Sequence, residues 1–276
     1  MTAELAHKYA PAARWRPTPL IAGSMGLHWL SVAGTAFSPE AWPWALGTLA
    51  ANHAFLTGVG IWPRGSWLGP NVTRLPEASA ARGEICLTFD DGPDPEVTPQ
   101  VLDMLEQYGV HATFFCIADR SREHADLCRE LARRGHGVEN HSRRHLPTFA
   151  LLGMGGIRAE IAAAQATIIS AAGTRPRFFR PPAGVRSPLL DKVLHELGLR
   201  LVNWTRRGFD TRYQPERVTA KLVGGLAAGD ILLLHDGSSA RTPAGSPVVL
   251  EVLPRVLDAA AAAGLRPVTL HHALAA

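Results

Sequence analysis

Two adjacent carboxylates follow an apolar run in the stretch TFDDGP, Thr88 to Pro93. Asp, Gly and Pro all favour turns, so a turn after a strand is the plain reading of its end. That reading does not account for two acids placed directly after the run CLTF. Neighbouring carboxylates repel unless their roles are separated. A cation on Asp91 and a proton-accepting role for Asp90 would separate them, with an arginine to keep Asp90 ionised. The stretch HSRRH carries His141 and His145 four residues apart. On a helix that spacing presents two imidazoles to one ion. Alone, the pattern more often marks two solvated helix histidines. Joined by a carboxylate from elsewhere, it makes a His, His, Asp set with open positions, the form of a catalytic metal site.

Two further stretches offer partners. RPPAG, Arg180 to Gly184, places an arginine before a rigid loop, although a lone arginine is more often a solvated surface residue. ILLLHDG ends an apolar run with His235, which reads either as a surface cap or as a general acid for neutral pH. Together these residues suit metal-assisted hydrolysis of an acyl bond. A cation and a backbone N–H stabilise the oxyanion, Asp90 takes a proton from water, and His235 protonates a leaving amine.

The elements that position these residues alternate. Strands are expected at 84–89, 112–117, 137–140, 177–180, 200–204, 230–235 and 266–270. Helices are expected at 99–108, 123–134, 157–172, 189–197, 215–226 and 249–263. The alternation predicts an α/β fold with a parallel sheet, either closed as a barrel or open and doubly wound. Asp90, Asp91, His141, Arg180 and His235 all fall at strand ends. Strand C-termini of such sheets converge on one face, which would bring these residues into one pocket.

The first sixty residues are of another kind. Residues 19–37 and 42–62 are two runs without Asp, Glu, Lys or Arg, each long enough to cross a bilayer's hydrocarbon core. Trp42, Trp44 and Trp62 lie at the ends of the second run, where an interfacial belt would place them. His28, Asn52 and His53 are costly in hydrocarbon unless they face a partner, so a hairpin packed on the domain or lying on the membrane surface is the competing reading. Lys8, Arg14 and Arg16 precede the first run and Arg64 and Arg74 follow the second, while 38–41 has no basic residue. Positive charge stays cytoplasmic, so both termini and the large domain are expected in the cytoplasm, at a bacterial inner membrane. Residues 63–82, rich in Pro and Gly, read as a linker.

Composition adds exclusions. The charge of +4 comes from 28 basic and 24 acidic residues with no basic block, which argues against nucleic acid. Three cysteines, Cys86, Cys116 and Cys128, are too few for a disulfide framework, and Cys86 and Cys116, in apolar runs, read as buried thiols.

In order and rough spacing, TFDDGP, HSRRH, RPPAG, WTRRGFD and LLLHDG resemble the motifs of the polysaccharide deacetylases, also called the NodB-homology family or carbohydrate esterase family four. The resemblance covers about Glu84 to Leu270. It implies a distorted, incomplete (β/α) barrel, preceded here by the hydrophobic helical hairpin, and a divalent metal ion, zinc in the first place. It implies Asp91, His141 and His145 as ligands, Asp90 as base and His235 as acid. It further implies that Arg180 orients Asp90, that Asp210 tunes His235, and that Leu233 lines the acyl pocket. The chain departs from the family at Ala183, where an aromatic is usual, leaving its backbone N–H for the oxyanion but no ring for the substrate. Thr211 follows Asp210 where an aromatic is common, and Arg206 and Arg207 precede it. These departures leave acetyl and formyl open as the acyl group. The basic pair fits a solvated face or a phosphate.

The resulting expectation has three parts: a segment at 1–62 with two transmembrane helices, a linker at 63–82, and a catalytic domain at 83–276. The function expected is removal of an N-acyl group, in the first place N-acetyl, from a sugar in a polysaccharide or a lipid-linked saccharide. The alternatives are a periplasmic polysaccharide or peptidoglycan deacetylase, and an inactive carbohydrate-binding member of the fold.

Overall fold

The structure is a computed structural model that describes residues 14–275. Lys8, one of the basic residues bearing on orientation, lies outside them, as do the rest of 1–13 and Ala276. The strands are β1 (Glu84–Asp90), β2 (Thr113–Cys116), β3 (Gly137–Asn140), β4 (Phe178–Phe179), β5 (Arg200–Leu201), β6 (Arg206–Arg207), β7 (Ile231–His235) and β8 (Arg266–Pro267). The helices are α1 (Pro19–Phe37), α2 (Trp42–Ile61), α3 (Glu77–Ala81), α4 (Val97–Gln107), α5 (Ala118–Glu123), α6 (Ala125–Arg133), α7 (Met154–Ala172), α8 (Leu190–Leu197), α9 (Pro215–Val223), α10 (Val248–Ala262) and α11 (Leu270–Ala273).

All pairings between these strands are parallel, in the order β5-β4-β3-β2-β1-β7-β6, with β8 joined to the start of β1. The sheet is an incomplete barrel, since β5 and β6 end the order without pairing to each other. Every residue of β1 is buried, as befits the central strand of a parallel sheet covered on both faces. Alternation along the strands sorts side chains between those faces. Ile85, Leu87, Phe89, Phe114, Leu232 and Leu234 join the core under the helices, with Val101 and Leu105 of α4 and Val252 and Val256 of α10. Cys86, Phe115, Phe178 and Ile231 form a second cluster inside the curl. Asp90 shares the inner face with Cys86 and Thr88 and so reaches the rim pointing inward.

The stretch 63–82 is tied into the sheet. Val72 bridges Val202 just after β5, and its N–H donates to Leu201 O at 3.0 Å. Thr73 O accepts from Thr205 Oγ1 at 2.6 Å, and the Leu75 N–H donates to Gly229 O at 2.8 Å. This segment therefore crosses the gap between the two sheet edges.

Helices α1 and α2 form the hairpin. Its polar residues face one another: His28 Nε2 lies 3.2 Å from His53 Nε2, and Asn52 Nδ2 donates to Ser24 Oγ at 2.8 Å. The outer surface is apolar, with Trp29, Leu30, Val32, Phe37 and Leu46 exposed. Among the described residues one helix, α1, is long and apolar enough to cross a membrane, and almost none of it is buried. The base of the hairpin docks on the α/β part of the chain. Ile21, Leu56 and Leu68 cluster there, and the Arg186 N–H donates to Gly60 O at 2.9 Å. A Cβ at Gly60 would come within 2.4 Å of the Arg186 carbonyl oxygen, so the close approach depends on glycine.

Some elements differ from expectation. The helix expected at 123–134 is found as α6, and a short helix not expected, α5, precedes it, the two being separated at His124 (φ −121°, ψ 50°). The strands expected at 177–180, 200–204 and 266–270 shorten to two residues each, and β6 is an edge strand of two arginines with no apolar signature.

Candidate active site

Asp90 and Asp91 end and follow β1, His141 follows β3, Arg180 follows β4, and His235 ends β7. The register places Asp90 beside His235 and Thr88 beside Leu233. Asp90, Asp91, His141, His145, Ala183, Leu233 and His235 line one cavity of about 380 Å³. Arg180 and Asp210, each fully buried, lie behind its wall.

Arg180 is bonded on every side. Its Nη1 donates to Asp90 Oδ1 at 2.6 Å and to Thr88 Oγ1 at 2.8 Å. Its Nε donates to Val202 O at 3.1 Å and its Nη2 to Asn203 O at 3.0 Å. The guanidinium carbon sits 4.1 Å from the centre of the Phe115 ring. A buried charge is tolerable only when paired and bonded in this way.

His141 and His145 are not on a helix. They lie in a loop after β3, with Ser142 at φ 67° and His145 at φ 52°, values that a right-handed helix excludes. Local bonds hold this shape: the Ser142 N–H donates to Asn140 Oδ1 at 2.9 Å and the His145 N–H to Ser142 Oγ at 3.1 Å. The rings still converge, each Nε2 being 3.2 Å from Asp91 Oδ1. Donor atoms of Asp91, His141 and His145 all lie within 4.8 Å of one another.

The donor set fits a divalent cation. Asp91 Oδ1 is buried without a hydrogen-bond partner. His141 Nδ1 lies 2.7 Å from Arg180 O, which can only accept, so Nδ1 carries the proton and Nε2 presents a lone pair. Against the penalty of burial, the neighbouring imidazoles hold Asp91 well below the usual carboxylate range.

Asp210 accepts twice from His235: from the backbone N–H at 2.7 Å and from Nδ1 at 2.8 Å. This leaves Nε2 for the cavity. Burial opposes protonation of His235, but Asp210, helped by Asp90 and Asp91, outweighs it and raises the pKa to about 9.

Several contributors carried no sequence signal. Arg120 Nη1 donates to Asp91 O at 2.8 Å and to Gly237 O at 2.7 Å, tying the ends of β1 and β7 together. Ser238 Oγ bonds Asp91 Oδ2. Thr98 Oγ1 donates to Asp236 Oδ2 at 2.6 Å beneath the site, where burial pushes Asp236 up to about 7. Trp204 packs against Gly184, next to Ala183, so an aromatic wall borders the cavity even though position 183 has none.

A half-barrel with a His, His, Asp cluster beside a buried acid defines a metal-assisted hydrolase. The family model for polysaccharide deacetylase matches residues 78–202. A peptidoglycan-N-acetylglucosamine deacetylase of Bacillus cereus is 30% identical over 191 residues, 68% of this chain and 67% of that one. A chitooligosaccharide deacetylase of Bradyrhizobium is 35% identical over 155 residues, 55% of this chain and 70% of that one. Among solved structures, the Bc1960 peptidoglycan N-acetylglucosamine deacetylase, in complex with a naphthyl N-hydroxybenzamide, aligns at 29% identity with a TM-score of 0.66, covering 73% of this chain and 91% of that one. The chain belongs to the polysaccharide deacetylase family.

The Asp90–Arg180 pair yields a stability prediction. Arg180→Met should destabilise the fold by about 3–5 kcal/mol, because it leaves a buried carboxylate unpaired. Arg180→Met with Asp90→Asn should recover part of that loss, as urea unfolding of the four-member cycle would measure. Additive losses would show that the two groups are not coupled.

Proposed function

We propose that this chain is a membrane-tethered, zinc-dependent N-deacetylase that removes acetyl from an amino sugar, the sugar being carried on a lipid. The observation that carries the chemistry is the meeting of both proton-handling groups and the cation-binding triad in one cavity. The names of the peptidoglycan N-acetylglucosamine deacetylases among the relatives support N-acetylglucosamine as the unit acted upon.

Asp91, His141 and His145 would hold the ion. When bound, it supplies a Lewis acid for the acyl carbonyl and lowers the pKa of water. Asp90, held and oriented by Arg180 Nη1 at 2.6 Å, takes the proton of the attacking water. The backbone N–H of Ala183 supports the developing oxyanion. His235, protonated through Asp210, delivers a proton from Nε2 to the leaving nitrogen. Leu233 forms the apolar wall for the methyl group, and the space beside Ala183 is bounded by Trp204.

The division at 1–62, 63–82 and 83–276 belongs to this reading, with the hairpin spanning the bilayer twice. Its polar residues face each other, its outer face is apolar, and Trp42, Trp44 and Trp62 are exposed at its ends. Arg14, Arg16, Arg64 and Arg74 flank the spans on one side, which supports a cytoplasmic catalytic domain. The second reading, a periplasmic peptidoglycan deacetylase, is favoured by the relatives' names. Reporters fused after Ala276 discriminate: cytoplasmic signal is expected, and periplasmic signal would restore the second reading.

Asp90→Asn should lower kcat by about 10²–10⁴-fold with metal content unchanged. Chelation should abolish activity and added zinc restore it. Full activity in the Asn variant would sink the mechanism. The donor form of His235 exists below its raised pKa of about 9 and is lost above it. Asp210→Asn removes the raising charge and leaves burial to act, so the alkaline limb of kcat/KM should move to lower pH. A limb that stays in place would remove Asp210 from this role.

A further inference from the structure

Beside the catalytic cavity lies a second one of about 560 Å³, whose wall carries Arg64, Arg74, Arg206, Arg207, Lys221 and Asp230. The single acid is already engaged. Asp230 pairs with Arg74 Nη1 at 2.9 Å and with Arg206 Nε. The remaining nitrogens of Arg206 donate to Gly224 O and Gly225 O, and Arg74 Nη2 donates to Ala228 O at 2.8 Å. These two arginines hold the loop before β7.

The other three cations have no such occupation. Among the described residues Arg207 and Lys221 form no side-chain hydrogen bond or ion pair, and Arg64 has one long contact, 3.5 Å to Thr205 O. Arg207 Nε is buried without a partner, and its guanidinium is held 5.2 Å from the Trp204 ring and 4.7 Å from the Phe209 ring. Three uncompensated positive charges around one cavity repel each other unless an anion joins them, and a guanidinium fork suits phosphate oxygens.

Position narrows the ligand. Trp204 and Arg207 line both cavities, so an anion held here is attached to, or adjacent to, the reacting sugar. Trp62 and Arg64, at the foot of α2, line the same cavity, next to where the hairpin would meet the bilayer surface. We propose that Arg207, Lys221 and Arg64 form a subsite for a phosphate ester borne by the sugar that loses its N-acyl group. This rests on the deacetylase reading and extends it to the substrate's anionic group. A lipid phosphodiester and a soluble sugar nucleotide share this chemistry.

The test uses the full chain in detergent. Pyrophosphate titrated into metal-free protein should bind saturably at one site in calorimetry. Arg207→Gln and Lys221→Gln should each weaken that binding about tenfold or more. Arg255→Gln, a change in an exposed pair with Glu216, should leave it unaltered. Absence of binding, or equal weakening by Arg255→Gln, overturns the subsite. With the metal restored, three substrates are compared: polyprenyl-phosphate-linked N-acetylglucosamine, the uridine diphosphate sugar, and neutral chitotriose. A higher kcat/KM for either phosphate-bearing sugar, with the ratio to chitotriose collapsing in Lys221→Gln, supports the subsite, and the faster of the two identifies the source. Equal rates on all three overturn it while leaving deacetylation intact. If no substrate is turned over, the deacetylase reading fails and the calorimetry alone decides the subsite.

Discussion

The fully buried guanidinium of Arg180 is the interaction on which the rest of the site depends. A charge inside the sheet is stable only with its hydrogen bonds supplied, and these come from β1 and from the residues that follow β5. The same residue's carbonyl fixes the tautomer of His141. One side chain and its own backbone thus fix the position of the Asp90 carboxylate and the orientation of the His141 ring. The buried acid and the His, His, Asp cluster thus share a single structural origin.

A second feature is where the backbone is forced. Among the described residues, the non-glycine residues with positive φ are Asp91, Ser142, His145, Ala183 and Phe209. Each lies in or beside the catalytic cavity. Such conformations cost of order 1–3 kcal/mol each and persist only where surrounding contacts over-determine them. Here the contacts are visible: Arg120 bridges two strand-end loops, and Gly237 lets the β7 end pass so close that a Cβ there would lie 2.1 Å from Asp91 O. Aiming several short side chains at one point requires turns that a relaxed backbone would not make.

The hairpin is coupled to this site through ordinary packing. Asn203, whose carbonyl accepts from Arg180, donates through its side chain to Pro63 O at 2.7 Å and contacts Asn71 Oδ1 at 3.2 Å. The connecting stretch thereby touches Asn203, whose carbonyl accepts from Arg180. Arg186 holds the same stretch by bonds to Gly65 O and Gly69 O at 2.7 and 3.1 Å. The foot of the hairpin and the rim of the barrel form one continuous surface, with the basic cavity set between them.

Much was legible from the chain alone, because parallel strands end on one face and apolar runs mark the strands. That placed Asp90, Asp91, His141, Arg180 and His235 together before any coordinates, and the apolar lengths announced the hairpin. The helical reading of HSRRH failed because local side-chain bonds from Asn140 and Ser142 outweigh a spacing rule, and convergence on Asp91 survives in a different backbone. The arginine pair shows the same limit. Nothing local distinguishes Arg206 from Arg207, yet one is consumed by Asp230 and loop carbonyls while its neighbour is left unpaired between two rings. Residue type and spacing determine which groups can do chemistry. Which of them stay free to do it is decided by partners distant in sequence, since the cost of an unpaired buried charge is settled only when the tertiary structure brings those partners within reach.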